Sequence, residues 1–120
     1  NYVKLLGYKS NPWKYLSRSN LFVLSSIWEG FGNVIVESML LGIPVISTRC
    51  KSGPAEILDN GKYGKLYDIY DYTKLSELIL NEISSKELEK SSAIAKKRSD
   101  DFSIDKITES YIKSLDELLT

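Results

Sequence analysis

Apolar residues form short continuous runs in the first half of this chain and recur at helical spacing in the second half. Residues 21–24 are a run typical of a strand buried on both faces of a parallel sheet. Residues 34–41 are apolar nearly all round and end at Gly42, which predicts a buried helix capped by Asn33. Residues 44–48 predict a second strand. The pattern therefore predicts a strand, a glycine-containing loop, a helix and another strand in succession.

The segments on both sides of this unit extend the alternation of strands and helices. Residues 5–8 predict a short strand, and Asn11 with Pro12 predicts the start of a short helix. This helix contains Trp13, which we expect to fill a core or an interface rather than to stack on a ligand. Farther along, residues 64–67 predict a last strand. Strands that alternate with helices are typical of an α/β fold with a parallel sheet.

The remainder of the chain, from about residue 74 to residue 119, is predicted to be helical because its apolar residues recur at helical spacing. Within it, residues 85–101 are rich in charge and are expected to form a solvated face. The tyrosines around the last predicted strand are expected to cover the edge of the sheet: Tyr63, Tyr67, Tyr70 and Tyr72.

Two carboxylates, Glu29 and Glu37, interrupt the central apolar stretch. Because residues four apart on a helix are neighbours, Glu37 is expected one turn after Asn33 on the same face. The free N–H groups of such a helix start favour phosphate, and Gly30 and Gly32 let the backbone approach a ligand closely. A diphosphate bound there would place its ribose within reach of the Glu37 carboxylate. Glu29, on the other side of the glycines, would reach the group attached to the second phosphate.

Each of these residues also has a purely structural interpretation. Glu37 can be interpreted as an acid placed near the start of a helix, where the helix dipole favours negative charge. Glu29 can be interpreted as a solvated acid of the loop. Phe31 can be interpreted as a core residue, because the proposed site needs only its backbone.

Composition excludes several classes of function. With 16 basic and 16 acidic residues and no lysine or arginine cluster, neither nucleic acid nor an anionic membrane surface is expected as a partner. The chain has no histidine, so it contains no histidine base or metal ligand. Its single cysteine, Cys50, is expected to be a small structural residue and cannot form an internal disulfide. No signal peptide or membrane span is visible, and we expect a cytoplasmic protein.

The segment Glu29–Glu37, with the sequence EGFGNVIVE, resembles the E-x7-E motif of retaining, GT-B-fold glycosyltransferases of glycosyltransferase family 4. The stretches around it are similar to that family in the same order: residues 5–8, 11–16, 42–48 and 52–57. The similarity is close over residues 1–70 and is only a pattern of helices beyond them. A lone E-x7-E would be weak, whereas the ordered set is specific.

This resemblance implies a fold and a set of roles. The fold would be α/β, a Rossmann-like doubly wound parallel sheet that forms an incomplete half of a GT-B fold. Glu29 would be the catalytic residue beside the donor sugar, and Glu37 would bind the nucleotide ribose. The loop between them would bind the donor through Gly30, Phe31, Gly32 and Asn33.

Residues after the second predicted strand are further candidates for the same site. Arg49 and Lys51 are candidates for donor phosphate charge, because ligands of open α/β sheets bind at the carboxyl ends of the strands. Gly53 and Pro54 predict a helix start. There Glu56 is expected to reach back to the cap, which we prefer to a catalytic role, although the matching family loop lines the donor cleft.

Other motifs are absent from the sequence. The dinucleotide pattern G-x-G-x-x-G fails because Ile35 stands at its last glycine, and no P-loop is present. No D-x-D pair and no cysteine or histidine set suits a metal. We therefore expect no cofactor and no metal, with a nucleotide-diphosphate sugar as the substrate.

The resemblance also implies that residues 1–120 are part of a C-terminal donor-binding domain whose first two strands and N-terminal acceptor domain are absent. Alone, this part is expected to be inactive and to self-associate or repack through open sheet edges. The whole protein would be a hexosyltransferase of polysaccharide biosynthesis with a glycan or lipid-linked acceptor, acting in the cytoplasm or at the inner face of the membrane. Two alternatives stay open: a GT-B nucleotide-sugar epimerase, and a non-catalytic Rossmann-like module that binds nucleotide or protein.

Overall fold

The computed structural model describes residues 2–119, except for the side chains of Ser85 and Leu119. Within these residues three short strands form one parallel sheet in the order β1-β2-β3. The strands are β1 (Phe22–Leu24), β2 (Val45–Thr48) and β3 (Lys65–Tyr67). The helices are α1 (Trp13–Leu16), α2 (Asn33–Leu40), α3 (Pro54–Ile57), α4 (Tyr72–Glu82), α5 (Ser85–Ser99) and α6 (Ile104–Leu119).

The core lies where α2, α3 and α5 meet around β2. Every residue of β2 is buried, because β2 is the central strand of the sheet. The other core side chains come from several elements: Ile35 and Met39 of α2, Ile57 and the following Leu58, and Ala95 of α5. The predicted alternation of parallel strands and helices is therefore confirmed.

The prediction that residues 21–24 are buried on both faces is wrong. All three residues of β1 are half-buried. The physical reason is position: β1 pairs only with β2 in the described sheet and so forms its edge. An edge strand has an unpaired row of backbone groups, which is the feature behind the expected self-association. That association stays a prediction.

The strand predicted for residues 5–8 is also wrong. Residues 2–9 have no regular secondary structure, and Leu5 is 97% exposed. A strand needs a neighbour to accept and donate its backbone hydrogen bonds, and within the described residues this segment joins no sheet.

The starts of α1 and α2 each differ by one residue from the prediction, whereas α3 begins at Pro54 after a Gly53 cap, as predicted. Gly32, not Asn33, is the N-cap of α2, with φ 94° and ψ 49°, and Asn33 is the first helical residue. Glycine takes this left-handed conformation without the penalty that a Cβ imposes. At α3 the cap receives no hydrogen bond from a side chain, so the expected capping by Glu56 is wrong; Glu56 is exposed. At α1 the N-cap is Pro12 rather than Asn11, although the Asn11 Oδ1 atom accepts from the Lys14 N–H at 3.3 Å.

The helical end of the chain begins slightly earlier than predicted, at Tyr72, with the Asp71 carboxylate accepting from the Lys74 N–H at 2.9 Å. The expectation that the tyrosines cover the edge of the sheet is confirmed only in part, because Tyr67 is buried whereas Tyr70 and Tyr72 are exposed. Within residues 2–119, no helix combines the length and the apolar character needed to cross a membrane.

Helix α4 also buries an acid that the pattern does not single out. Glu82 is 3% exposed, and its Oε1 atom has no hydrogen-bond partner among the described residues. It lines a small cavity together with Lys62 and Lys65, so the cavity wall has charges of both signs.

The charge-rich helix α5 is not simply a solvated face. Its Arg98 guanidinium donates to the carbonyl oxygens of Ile57 at 2.9 Å and Glu56 at 3.1 Å, at the end of α3. It also donates to the Asp101 carboxylate at 2.9 Å. The same group lies 4.9 Å from the ring centres of Tyr63 and Phe102. Arg98 therefore links α5 to α3 and to the segment that begins α6.

Asp101 supplies a pH-dependent part of this link. Hydrogen bonds from Lys106 and then Arg98 hold the pKa of the Asp101 carboxyl below its usual range. Because the pKa of this carboxyl is lower in the folded state, its ionisation stabilises the fold at pH values above about 4, the pKa of an aspartate in the unfolded chain. This stabilisation is lost as the pH falls through the pKa of the folded state. We expect Asp101→Asn to have a melting temperature that falls less steeply with acidification below about pH 4. Thermal unfolding at a series of pH values measures this, and parallel curves for the two proteins would contradict it.

Candidate functional site

A groove lies at the N-terminal end of α2, with a volume of about 370 Å³. Its lining residues are Phe31, Asn33, Val36, Glu37, Phe102 and Ile107. The volume is within the range of ordinary small-molecule sites, about 300 to 1,000 Å³. Three of the residues predicted for donor binding, Phe31, Asn33 and Glu37, therefore line one groove.

The loop between β1 and α2 is attached to the segment after β2. The Thr48 Oγ1–H donates to the Ser26 carbonyl oxygen at 2.6 Å, and the single Ser52 Oγ–H lies 2.7 Å from the Lys51 carbonyl oxygen and 3.3 Å from that of Glu29. Trp28 and Lys51 form an isolated parallel β-bridge. These contacts extend the parallel arrangement of β1 and β2 into the loops at their carboxyl ends.

Gly53 allows a close approach of these two loops. A Cβ atom at this position would lie 2.0 Å from the Phe31 carbonyl oxygen, and Gly53 has φ 76°. Both the space and the conformation thus require glycine. The sequence pattern identifies Gly53 only as a helix cap, whereas the structure adds that it sets the path of the candidate loop.

Phe31 lies on the wall of the groove, so the alternative interpretation of Phe31 as a core residue is wrong. Its side chain is 40% exposed and packs edge to face on Phe102, with 5.9 Å between ring centres. Phe102 comes from the segment before α6, so the end of the chain contributes one wall of the groove.

Glu29 is half-buried at the edge of the same loop. Its Oε1 atom accepts from the Ser26 Oγ–H at 2.6 Å, which fixes the carboxylate relative to the end of β1. The second oxygen, Oε2, has no protein donor among the described residues.

Glu37 is half-buried in the groove, and its Oε2 atom accepts from the Trp13 Nε1–H at 2.8 Å. Trp13 is 50% exposed, so it does not fill the core of the described chain, and the expected place in an interface stays a prediction. The two residues are 24 positions apart, and no periodic signal in the sequence connects them. Trp13 is therefore a site neighbour that only the structure identifies.

The first turn of α2 retains free donors. The Ile35 N–H donates to the Gly32 carbonyl at 2.8 Å. The N–H groups of Asn33 and Val34 have no acceptor in the described part of the chain, as expected for the first turn of a helix. Such groups, with the helix dipole behind them, favour an anion.

The catalytic candidate Glu29 and the glycines Gly30 and Gly32 are not among the residues that line the groove, and three further candidates also lie outside it. Arg49, Lys51 and Glu56 are all exposed, and none of them lines the groove. Between the first two, Cys50 is a free thiol and is buried, as expected of a small structural residue. A role for these three side chains towards the donor stays a prediction.

Comparison with known proteins gives a consistent result. Residues 1–99 match the family described as "Glycosyl transferases group 1". The chain is 36% identical over 140 residues to the "Uncharacterized glycosyltransferase MJ1059" of Methanocaldococcus jannaschii, covering 92% of this chain and 34% of that protein. It is 37% identical over 67 residues to a Campylobacter jejuni "N-acetylgalactosamine-N,N'-diacetylbacillosaminyl-diphospho-undecaprenol 4-alpha-N-acetylgalactosaminyltransferase", covering 56% of this chain and 18% of that protein.

Solved structures share the fold. The crystal structure of Anabaena Alr3699/HepE in complex with UDP and glucose matches with a TM-score of 0.78 and 28% identity, covering 98% of this chain and 32% of that one. The structure of TarM matches with a TM-score of 0.78 and 24% identity, covering 88% of this chain and 22% of that one. The predicted fold class is confirmed: an α/β fold with a parallel sheet, similar to GT-B glycosyltransferases. The chain spans about a third of its relative from Methanocaldococcus jannaschii, and it belongs to the group 1 glycosyl transferases.

Proposed function

We propose that this chain binds the nucleotide-sugar donor of a retaining, metal-independent glycosyltransferase of family 4. The observation on which the proposal depends is the groove at the start of α2, because it is lined both by Asn33, the first residue of the helix with a free N–H, and by Glu37. A diphosphate suits the first feature, and a ribose with two vicinal hydroxyls suits the second. A similar structure contains UDP and glucose, which are the two halves of such a donor.

Each part of the loop has a role in this proposal. The backbone from Gly30 to Asn33 contacts the diphosphate and the sugar, and Glu37 accepts hydrogen bonds from the ribose. Glu29, held by Ser26, has its second oxygen available to orient the sugar and to stabilise it electrostatically. The exposed cations Arg49 and Lys51 add positive charge at the same end of the sheet.

The reaction would transfer a hexose with retention of configuration at the anomeric carbon. The bond between that carbon and the diphosphate oxygen breaks, and a bond to the acceptor hydroxyl oxygen forms on the same face of the sugar. The departing phosphate takes the hydroxyl proton. The helix N-terminus stabilises the negative charge that develops on the diphosphate as it leaves.

The acceptor is proposed to be a glycan or a lipid-linked precursor of a polysaccharide. Support for this class comes from the Campylobacter jejuni relative, whose name specifies a diphospho-undecaprenol acceptor. The comparisons favour neither the epimerase nor the non-catalytic module.

The proposal is tested by calorimetric titration of the complete polypeptide that contains this sequence with UDP and with GDP. We expect Glu37→Ala to lose about 1.5 to 3 kcal/mol of nucleotide binding free energy, because the change removes hydrogen bonds to a charged group. The matched control is Glu77→Ala, which removes an exposed helical acid that pairs only with Lys74 in the described structure. Its nucleotide affinity is expected to equal that of the wild type.

Two outcomes would overturn this assignment. Unchanged affinity in a folded Glu37→Ala protein would return Glu37 to the role of a helix acid. If the wild type bound neither nucleotide and hydrolysed no sugar nucleotide, the non-catalytic module would become the better explanation.

A further inference from the structure

The Glu37 carboxylate is already engaged on one side. Its Oε2 atom accepts from the Trp13 indole N–H at 2.8 Å, and no other side chain in the described residues donates to this carboxylate. The bond joins α1 to α2, although α1 has no buried residue of its own. Trp13 is half exposed, so core packing does not explain its position.

The chemistry of the two groups determines what this bond leaves free. A carboxylate has two oxygens with about four lone-pair sites in total, and an indole N–H donates only one hydrogen bond. The bond to Oε2 therefore leaves Oε1 entirely free and one further acceptor site on Oε2. Two vicinal hydroxyls need two acceptor sites, so Trp13 and a ribose are able to share the carboxylate.

The bond also restricts the carboxylate. A glutamate side chain has three rotatable bonds, and ordering such a side chain on binding costs free energy. Because the Trp13 indole N–H already holds one carboxylate oxygen, part of this ordering cost is removed before the ligand binds. Helix α1 is thus a support for the groove rather than a part of the core.

The geometry points to Trp13 as a positioning residue that orients the Glu37 carboxylate for the two hydroxyls of a nucleotide ribose. This inference rests on the proposed function, and it adds a residue that determines recognition of ribose in particular. Loss of the indole N–H therefore weakens ribonucleotide binding more than deoxyribonucleotide binding, since the second ligand has one hydroxyl fewer to present.

The experiment compares the binding of UDP and 2′-deoxy-UDP by the complete polypeptide, using calorimetry. The variant Trp13→Phe keeps an aromatic ring and removes the N–H. We expect it to bind UDP about fivefold more weakly and 2′-deoxy-UDP less than twofold more weakly, so that discrimination between them falls. The control is Tyr15→Phe, which removes a hydroxyl from an exposed aromatic residue of the same helix and leaves both affinities unchanged.

The other outcomes separate this inference from the proposed function. A Trp13→Phe protein that bound both ligands as the wild type does would overturn the positioning role alone. An equal loss for both ligands would show that Trp13 acts through structure in general, and tighter binding would show that it obstructs the groove; both results contradict the inference. If the wild type bound neither UDP nor GDP, the proposed function and this role would be overturned together; if it bound GDP alone, GDP and 2′-deoxy-GDP would replace the uridine pair in the same comparison.

Discussion

Replacing Gly53 with alanine is expected to lower the free energy of unfolding by more than about 3 kcal/mol. Two independent costs add at this position. The new Cβ would lie 2.0 Å from the Phe31 carbonyl oxygen, a backbone atom that cannot rotate away. The residue would also have to keep φ at 76°, where any side chain is strained. Urea unfolding followed by circular dichroism measures the loss.

Gly61→Ala is the matched control for this variant. Gly61 has φ 103°, but a Cβ atom there has no heavy atom within 4 Å. It therefore has the conformational cost without the collision, and about 1 to 2 kcal/mol is expected. Equal losses in the two variants would show that the close approach to Phe31 does not determine the path of the loop. Since this loop contains the proposed donor contacts, any folded Gly53→Ala protein should also bind UDP more weakly.

Replacing Arg98 with alanine is expected to cost about 3 kcal/mol of stability. The guanidinium donates to the carbonyl oxygens of Ile57 and Glu56, which lie at the end of α3, and pairs with the Asp101 carboxylate. It also packs on the ring of Phe102, the residue that supports Phe31 at the groove. Truncation removes these contacts together and leaves two helix carbonyls without their donor.

Arg98→Lys tests whether charge alone is sufficient. A lysine ammonium is compact and cannot match a planar fork that contacts two carbonyls and a carboxylate, so we expect it to recover less than half of the loss. Lys97→Ala is the control for helix propensity and net charge, because Lys97 is an exposed neighbour in α5. Its effect is expected within about 0.5 kcal/mol of the wild type. Full recovery by lysine would show that the geometry of the guanidinium is unimportant.

Local sequence determines much of the architecture of this protein. The apolar runs that form β1 and β2, the helix between them and the repeat along the last helices are all visible without a structure. Each depends on backbone periodicity and on residues with restricted conformations, and these act over a few positions. The spacing of Glu29 and Glu37 is also a local feature, because only one loop, with Gly30 and Gly32, and about one turn of helix separate the two residues.

Tertiary structure decides what depends on neighbours distant in sequence. The segment around Leu5 has strand-forming residues but joins no strand among the described residues, and β1 is half-buried because it lies at the sheet edge. Propensity describes a residue's preference, whereas a strand exists only when another strand pairs with it.

The environment of the candidate site is likewise a product of the fold. Trp13 meets Glu37 across 24 positions, Gly53 meets Phe31, and Arg98 meets the end of α3. None of these pairs shares a helix turn or a strand register, so no periodicity relates them. The sequence by itself determined which carboxylates and glycines form the candidate loop. Only packing of the elements decided which side chains hold that loop and its carboxylates in place, because such contacts form between surfaces rather than along the chain.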